Sequence, residues 1–461
     1  MNGSAANAEP RRLVSRGARP AALIVRGARL FDPRTGLDAT RDLVVRDGEI
    51  AELAEPGGAP EVDGAPEVDG AEIVDGEGLL ALPAFVDPHV HMRVPGQEHK
   101  EDLETGTRAA AAGGYCAVIA MANTSPPIDS AAVLGSVRER AASEASVPVG
   151  FVGTVTRGMA GEELTEMAEL RDAGAIGFSD DGLPIRSARV LRRALQYQRL
   201  AGGVIALHEE DPDLSGDGVM HEGEVSAMLG MAEIPAVSES TTIARDCALA
   251  LYEGARVHVQ HLSARASVDA IAAAKAAGGR VTCEATPHHL TLTDEAVRSL
   301  DARFKMNPPL RSEDDRQALV DALRDGTIDC IATDHAPHAI EEKEVPFEQA
   351  AMGVTGLETA FGVLHTELVL PGTIALDLLV EKLTCGGEPF GIDAPRIEAG
   401  ARANLALVDP SLEWVVGEEG YESRSGNSCF AGRRLTGRVL MTVADGRVAF
   451  RQRSFAMGVA G

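Results

Sequence analysis

The chain has 461 residues, 44% of them hydrophobic but only 3% aromatic, with 49 glycines and a formal net charge of −27. Such a charge excludes nucleic-acid binding over any broad surface, and the composition excludes general disorder, pointing to an α/β protein of one large domain plus a smaller one. No apolar run reaches the roughly 20 residues that a membrane span needs, and the six cysteines, scattered without a C-x-x-C pair, fit reduced thiols in a cytoplasmic protein.

In chain order, residues 1–21 hold Arg11, Arg12, Arg16 and Arg19 with Glu9 as the only acid, and no apolar stretch of a secretory signal. An Arg-rich, acid-poor start is shared with organellar transit peptides, but the plainer expectation is a disordered tail. From Ala22 to Val74 the runs are short and strand-like, bounded by Gly, Asp or Pro. Between 58 and 75 a six-residue unit recurs, Gly-Ala-Pro-Glu-Val-Asp twice and then Gly-Ala-Glu-Ile-Val-Asp, which reads as an expanded surface loop leading into a strand.

From Leu79 the texture changes to short apolar runs alternating with Ala-rich segments of helical spacing, the pattern of βα units. Strands are expected at 84–91, 115–121, 147–153, 175–179, 203–208, 256–261, 280–284 and 328–333, with helices at 102–112, 131–142, 161–172, 188–201, 238–254, 266–277 and 312–324. Eight strands alternating with helices predict a closed (β/α)8 barrel over 81–394. Strand texture returns after 395, so residues 22–80 and 395–455 are expected to form one composite β-sandwich domain from both chain ends.

Barrel active sites use the C-terminal strand ends, and this expectation sorts the polar residues. His89 and His91 end the first strand, two residues apart and therefore on one face; Asp180 and Asp181 follow the fourth, His208 the fifth, His261 the sixth and Asp334 the eighth. Each has a dull reading alone: a lone His is more often a satisfied side chain, and Asp-Asp-Gly is equally a turn. Their joint placement on one rim is the inventory for two divalent cations with one bridging carboxylate, and imidazole plus carboxylate suits Zn2+ best. Metals sharing an oxygen lower the pKa of bound water and polarise a carbonyl, the equipment for hydrolysing an amide or reversing that reaction, with Asp334 as the proton shuttle. Arg93, Asn123, Asn307 and His338 lie on the same rim and suit an anionic substrate; Arg311 equally suits a structural place beside Asp314.

Eight motifs carry a family resemblance: Asp-Pro-His-Val-His-Met-Arg at 87–93, Lys-Glu-Asp-Leu-Glu-Thr-Gly-Thr at 100–107, Met-Ala-Asn-Thr at 121–124, Phe-Ser-Asp-Asp-Gly at 178–182, Thr-Pro-His-His at 286–289, Asn-Pro-Pro-Leu-Arg at 307–311, Asp-His-Ala-Pro-His at 334–338 and Gly-Leu-Glu-Thr at 356–359. In this order, over residues 22–455, the chain resembles dihydroorotases of the long, barrel-plus-sandwich class of amidohydrolases. The resemblance implies zinc-dependent, reversible cyclisation of N-carbamoyl-L-aspartate to L-dihydroorotate in pyrimidine biosynthesis, through a metal-bound hydroxide and Asp334 as general acid and base. It implies that His89, His91 and Asp334 hold one zinc, His208 and His261 the other, that Asp181 bridges, and that Arg93, Asn123, Asn307 and His338 hold the substrate. A homo-oligomer and an association with aspartate transcarbamoylase are also implied.

Several positions depart from the family pattern: Ala84 where Gly is usual, Val94 where Glu follows the arginine, and Cys385-Gly386-Gly387 in place of Asn-Pro-Ala. None is a proposed ligand. Other cyclic amidohydrolases such as hydantoinase, dihydropyrimidinase and allantoinase share the barrel but typically bridge their metals with a carbamylated lysine, and 178–182 offers aspartates and no lysine. A non-catalytic scaffold of aspartate transcarbamoylase is expected to have lost ligands, and here the set is complete. The segments 153–159 and 340–345 are candidates to gate the site.

Overall fold

The computed structural model describes residues 12–59, 61–62, 65–66, 71–453 and 455. Leu23–Asp32 pairs antiparallel with Leu37–Arg46, which pairs with Glu49–Ala54. The other edge of Leu23–Asp32 takes Glu72–Asp75 and Leu80–Pro83 in parallel. Leu80–Pro83 then pairs with Leu405–Val415, followed by Arg434–Ala444 and Arg447–Arg451. The two chain ends thus share one continuous eight-stranded sheet. Alternating side chains from both ends, among them Leu23, Val25, Leu43, Val45, Leu405, Leu407, Met441 and Val443, meet in a core separate from that of the barrel. The third copy of the six-residue repeat supplies the strand Glu72–Asp75, and in the earlier copies Glu61–Val62 pairs antiparallel with Ala65–Pro66.

The chain passes from Leu80–Pro83 almost directly into the first barrel strand, Phe85–Val90. Parallel neighbours follow at Tyr115–Ala120, Val149–Phe151, Ile205–Leu207, Arg256–Val259, Arg280–Ala285 and Cys330–Ile331, in the expected places. The fourth strand is reduced to Phe178, bridged to Gly153 and Ile205. A bridge between Val90 and His335, with the His91 N–H donating to the His335 carbonyl at 2.9 Å, closes the ring between first and last strands. Asp87 seals that seam, accepting hydrogen bonds from the His89 and Thr333 N–H groups and from Thr333 Oγ1.

The expected helices form with one exception of note. Only Met167–Asp172 of 161–172 is helical, because Leu164 pairs with Thr156 and Thr165 Oγ1 donates to the Thr154 carbonyl, holding the preceding residues in a loop. The expected tail also needs correcting: residues 12–21 are not loose, since Val14 pairs with Val149 and Arg447 Nη1 donates to the Arg16 carbonyl, laying the segment across the entry face of the barrel. Residues 1–11 lie outside the described residues. All six cysteines are free and buried, and no helix among the described residues is long and apolar enough to cross a membrane.

Asp32 joins the two chain ends, accepting from the Ile397 N–H at 2.8 Å and the Arg34 N–H at 3.0 Å. Replacing it by Ala orphans the buried Ile397 donor, at a cost of about 1–3 kcal/mol. Calorimetry on Asp32→Ala should show a lowered thermal midpoint; an unchanged midpoint would remove this contact from the account.

Candidate metal centre and active site

Barrel closure brings the sequence-predicted donors to one rim. His89 Nε2 stands 3.4 Å from Asp181 Oδ1 and 3.5 Å from Asp334 Oδ1; His91 Nε2 stands 3.1 Å from Asp334 Oδ1 and 3.5 Å from Asp181 Oδ2. On the far side His208 Nδ1 lies 2.9 Å from His261 Nε2 and 3.8 Å from Asp181 Oδ1. Two overlapping groups, His89 with His91 and Asp334, and His89 with Asp181 and His261, have ligand atoms all within 4.8 Å of one another. Asp181 therefore touches histidines of both halves, as a bridging carboxylate must.

The electrostatics suit a cation. Burial alone would raise the Asp181 carboxyl, but the charges of His89, His91 and His208 outweigh it and hold it well below the usual range. Asp334 is likewise lowered against its burial by His89 and His91. Burial, with His208 and His89 beside it, pushes His261 down to about 3, leaving the neutral imidazole that ligates metals. Four imidazoles around two ionised carboxylates are a donor set that fits a divalent metal. Arg93, His261 and Asp334 all have positive φ, at 56°, 31° and 46°. Left-handed backbone is uncommon for such residues, and three in one site is the concentration of strain expected where function fixes side-chain direction.

The structure separates the adjacent aspartates. Asp181 faces the histidines, whereas Asp180 turns away to accept from the Val155 and Thr156 N–H groups and from Thr156 Oγ1, pinning the base of segment 153–159. Asn123 lies between two donors, its Nδ2 donating to Asp181 Oδ2 at 3.0 Å and its Oδ1 2.9 Å from His91 Nδ1. Asn307 Nδ2 is 3.5 Å from His208 Nε2, and its Oδ1 is buried with no hydrogen-bond partner, an acceptor aimed at nothing of the protein. Arg93 is buried, donates from Nε to the Pro337 carbonyl at 3.1 Å and reaches within 3.4 Å of His338 Nε2. Arg311 is buried and tied to the protein, donating to Ser263 Oγ and the Ile234 carbonyl with Glu239 3.7 Å away, but it is not beside Asp314 as expected, which Arg265 holds instead. Segment 340–345 is tied down by Lys343, whose Nζ donates to the carbonyls of Ala302, Lys305 and Ala351.

Sequence reasoning missed several groups. Glu284 is fully buried beneath His89, its Oε1 2.8 Å from His89 Nδ1; an acid within the strand Arg-Val-Thr-Cys-Glu-Ala at 280–285 was the available signal. His288 is buried beside His289, with its Nε2 unpartnered. Asn427 comes from the loop between the two long C-terminal strands. Its Oδ1 accepts from the His338 N–H, and its Nδ2 donates to the carbonyls of Ala336 and Gly353. Nothing in the sequence around Asn427 points to the rim.

Residues 78–267 match the Dihydro-orotase-like family. A dihydroorotase from a Geobacter species is 44% identical over 434 residues, covering 93% of this chain and 99% of its own. One from Anaeromyxobacter dehalogenans is 46% identical over 437 residues, covering 93% and 98%. Among solved structures, the L-hydantoinase (dihydropyrimidinase) of Arthrobacter aurescens superposes with a TM-score of 0.80 at 25% identity, covering 93% of this chain and 96% of that one. A dihydropyrimidinase from Brevibacillus agri, at 22% identity and a TM-score of 0.79, shares the fold over 93% and 95%. With relatives this similar over nearly their whole length, and a metal-binding donor set on the rim of a shared barrel, the chain belongs to the dihydroorotase family and is a cyclic amide hydrolase.

Proposed function

We propose that the chain interconverts N-carbamoyl-L-aspartate and L-dihydroorotate in pyrimidine biosynthesis, using two zinc ions held by His89, His91 and Asp334 on one side and His208 and His261 on the other, with Asp181 between them. The single observation that carries this reading is the convergence of four histidines and two carboxylates within a few ångströms on the rim. When bound, the metals supply an acidified water and a polarised carbonyl. The protein's own groups do the rest. Asp334, ionised and against His91, takes a proton from the attacking water and returns it to the ring nitrogen as the cyclic amide opens; in the ring-closing direction the same carboxylate takes the amide proton. Asp181 and Asn123 hold the imidazoles in place. Arg93 supplies a buried positive charge for the substrate carboxylate that does not react, which a chain of net charge −27 would otherwise repel. The unpartnered Asn307 Oδ1 suits an N–H of the ureide. His338, held by Asn427, completes the carboxylate pocket.

The hydantoinase alternative asks for a carbamylated lysine between the metals, and Asp181 occupies that place. The buried Lys343 is committed to three carbonyls elsewhere. Assays of the purified chain should show hydrolysis of dihydroorotate that is lost on chelation and restored by zinc; turnover of hydantoin or allantoin well above that of dihydroorotate would sink the assignment. Asp334→Asn should fold but lose roughly 10²–10⁴-fold in kcat, the usual range for a general acid and base; full activity in this variant would remove Asp334 from the proton-transfer role. Asn427→Ala should raise KM more than it lowers kcat, by about tenfold, since it frees the His338 loop by the worth of about one hydrogen bond. An unchanged KM would mean that His338 is ordered without it.

A further inference from the structure

Beneath the metal ligands four polar groups form a single file through the barrel interior. His89 Nδ1 lies 2.8 Å from Glu284 Oε1, Glu284 Oε2 lies 2.9 Å from His258 Nε2, and His258 Nδ1 lies 2.8 Å from Thr282 Oγ1. His89, Glu284 and His258 are 0% exposed. His258 and Thr282 are cross-strand partners on the sixth and seventh barrel strands, so their contact is set by sheet register. Glu284 Oε1 also accepts from the His261 N–H at 3.2 Å, holding the backbone of a second metal-side histidine at its strained φ.

The proton positions in this file follow from its chemistry. A carboxylate can only accept, so both imidazoles must present N–H to Glu284: His89 through Nδ1 and His258 through Nε2. With Nδ1 committed to Glu284, Nε2 is the His89 nitrogen that faces Asp181 and Asp334 and would ligate a metal. His258 Nδ1 is left as an acceptor, which the Thr282 hydroxyl satisfies. The amide Nε2 of Gln260 also approaches His89 Nδ1, but at 3.3 Å it is the longer contact, and a bond to a carboxylate is the stronger. Phe390 packs edge-on against His258, with centroids 5.7 Å apart, and closes the file from the opposite side.

We infer that Glu284, His258 and Thr282 are positioning residues that fix the tautomer and ring direction of His89, so that metal affinity is set partly two residues deep in the barrel core. The inference rests on the metal reading above. Metal ligands oriented by an outer hydrogen-bond partner typically lose roughly 10–100-fold in metal affinity when that partner is removed.

The test is zinc titration of the metal-stripped full-length chain, followed in parallel by the visible absorption of cobalt(II). His258→Leu should weaken zinc binding by roughly 10–100-fold and alter the cobalt spectrum. His258→Gln, whose amide can still donate to Glu284, should restore binding to near the wild-type value, a rescue that lost packing alone would not give. If His258→Leu does not fold, Thr282→Val carries the test: it removes the hydroxyl that anchors His258 Nδ1, loosens the ring that holds Glu284, and should weaken binding measurably with KM for dihydroorotate unchanged. Wild-type affinity in both His258→Leu and Thr282→Val, or in Thr282→Val where the leucine variant does not fold, would overturn this inference and leave the metal reading intact. A wild-type chain that binds no zinc would overturn the metal reading, and the inference with it.

Discussion

The seam between the first and last barrel strands is the contact on which everything else depends. The bond from the His91 N–H to the His335 carbonyl and the bracing of Thr333 by Asp87 bring two stretches more than 240 residues apart in sequence to within a hydrogen bond. Only through that closure do His89 and His91 meet Asp334. Asp87 is fully buried, and burial raises its carboxyl to about 7 despite the hydrogen bonds from Thr333 and His89. The molecule thus places a costly polar group at the seam, where it answers the buried His89 and Thr333 N–H groups. The group specifies register: a slip of one residue at the first strand would turn both histidines away from the rim.

A second consequence of closure is the collection of buried charge around the site. Asp181 and Asp334 among four imidazoles, with Glu284 beneath, form a set that is unfavourable to desolvate unless each charge is answered. Histidines, backbone N–H groups and Asn123 answer part of it, and the donor set is arranged so that a metal ion would answer the rest. The left-handed backbone at Arg93, His261 and Asp334 belongs to the same economy, since strain persists only where surrounding contacts over-determine it. Around His261 one such contact is the hydrogen bond from its own N–H to Glu284.

What could be read from the sequence was whatever obeyed a local period. The alternation of apolar runs and Ala-rich helices located all eight barrel strands, and the two-residue spacing of His89 and His91 announced a shared face. Side-chain direction at a turn has no such period: the residues alone left Asp180 and Asp181 equal, the family resemblance pointed to Asp181, and the physical reason lies in the loop at Val155 and Thr156, which claims Asp180. Asn123 was legible as a rim residue but not as the partner of His91 and Asp181, because that depends on two other strands. Asn427 was illegible for a different reason: it arrives from the β domain across the barrel mouth, and no periodic signal links a loop near residue 427 to His338. The segment 12–21 misled through its composition; its order comes from backbone pairing at Val14, which an Arg-rich sequence does not advertise.

The central claim is that the rim donors hold a pair of metal ions, and the most direct measurement is an anomalous difference map at the zinc edge from crystals of the zinc-loaded chain. The account predicts two peaks about 3.5–4 Å apart, the usual spacing of such pairs. One should lie among His89, His91 and Asp334 and the other against His208 and His261, with Asp181 touching both. Peaks held by other residues, or a rim without anomalous density in a crystal that carries zinc elsewhere, would contradict it.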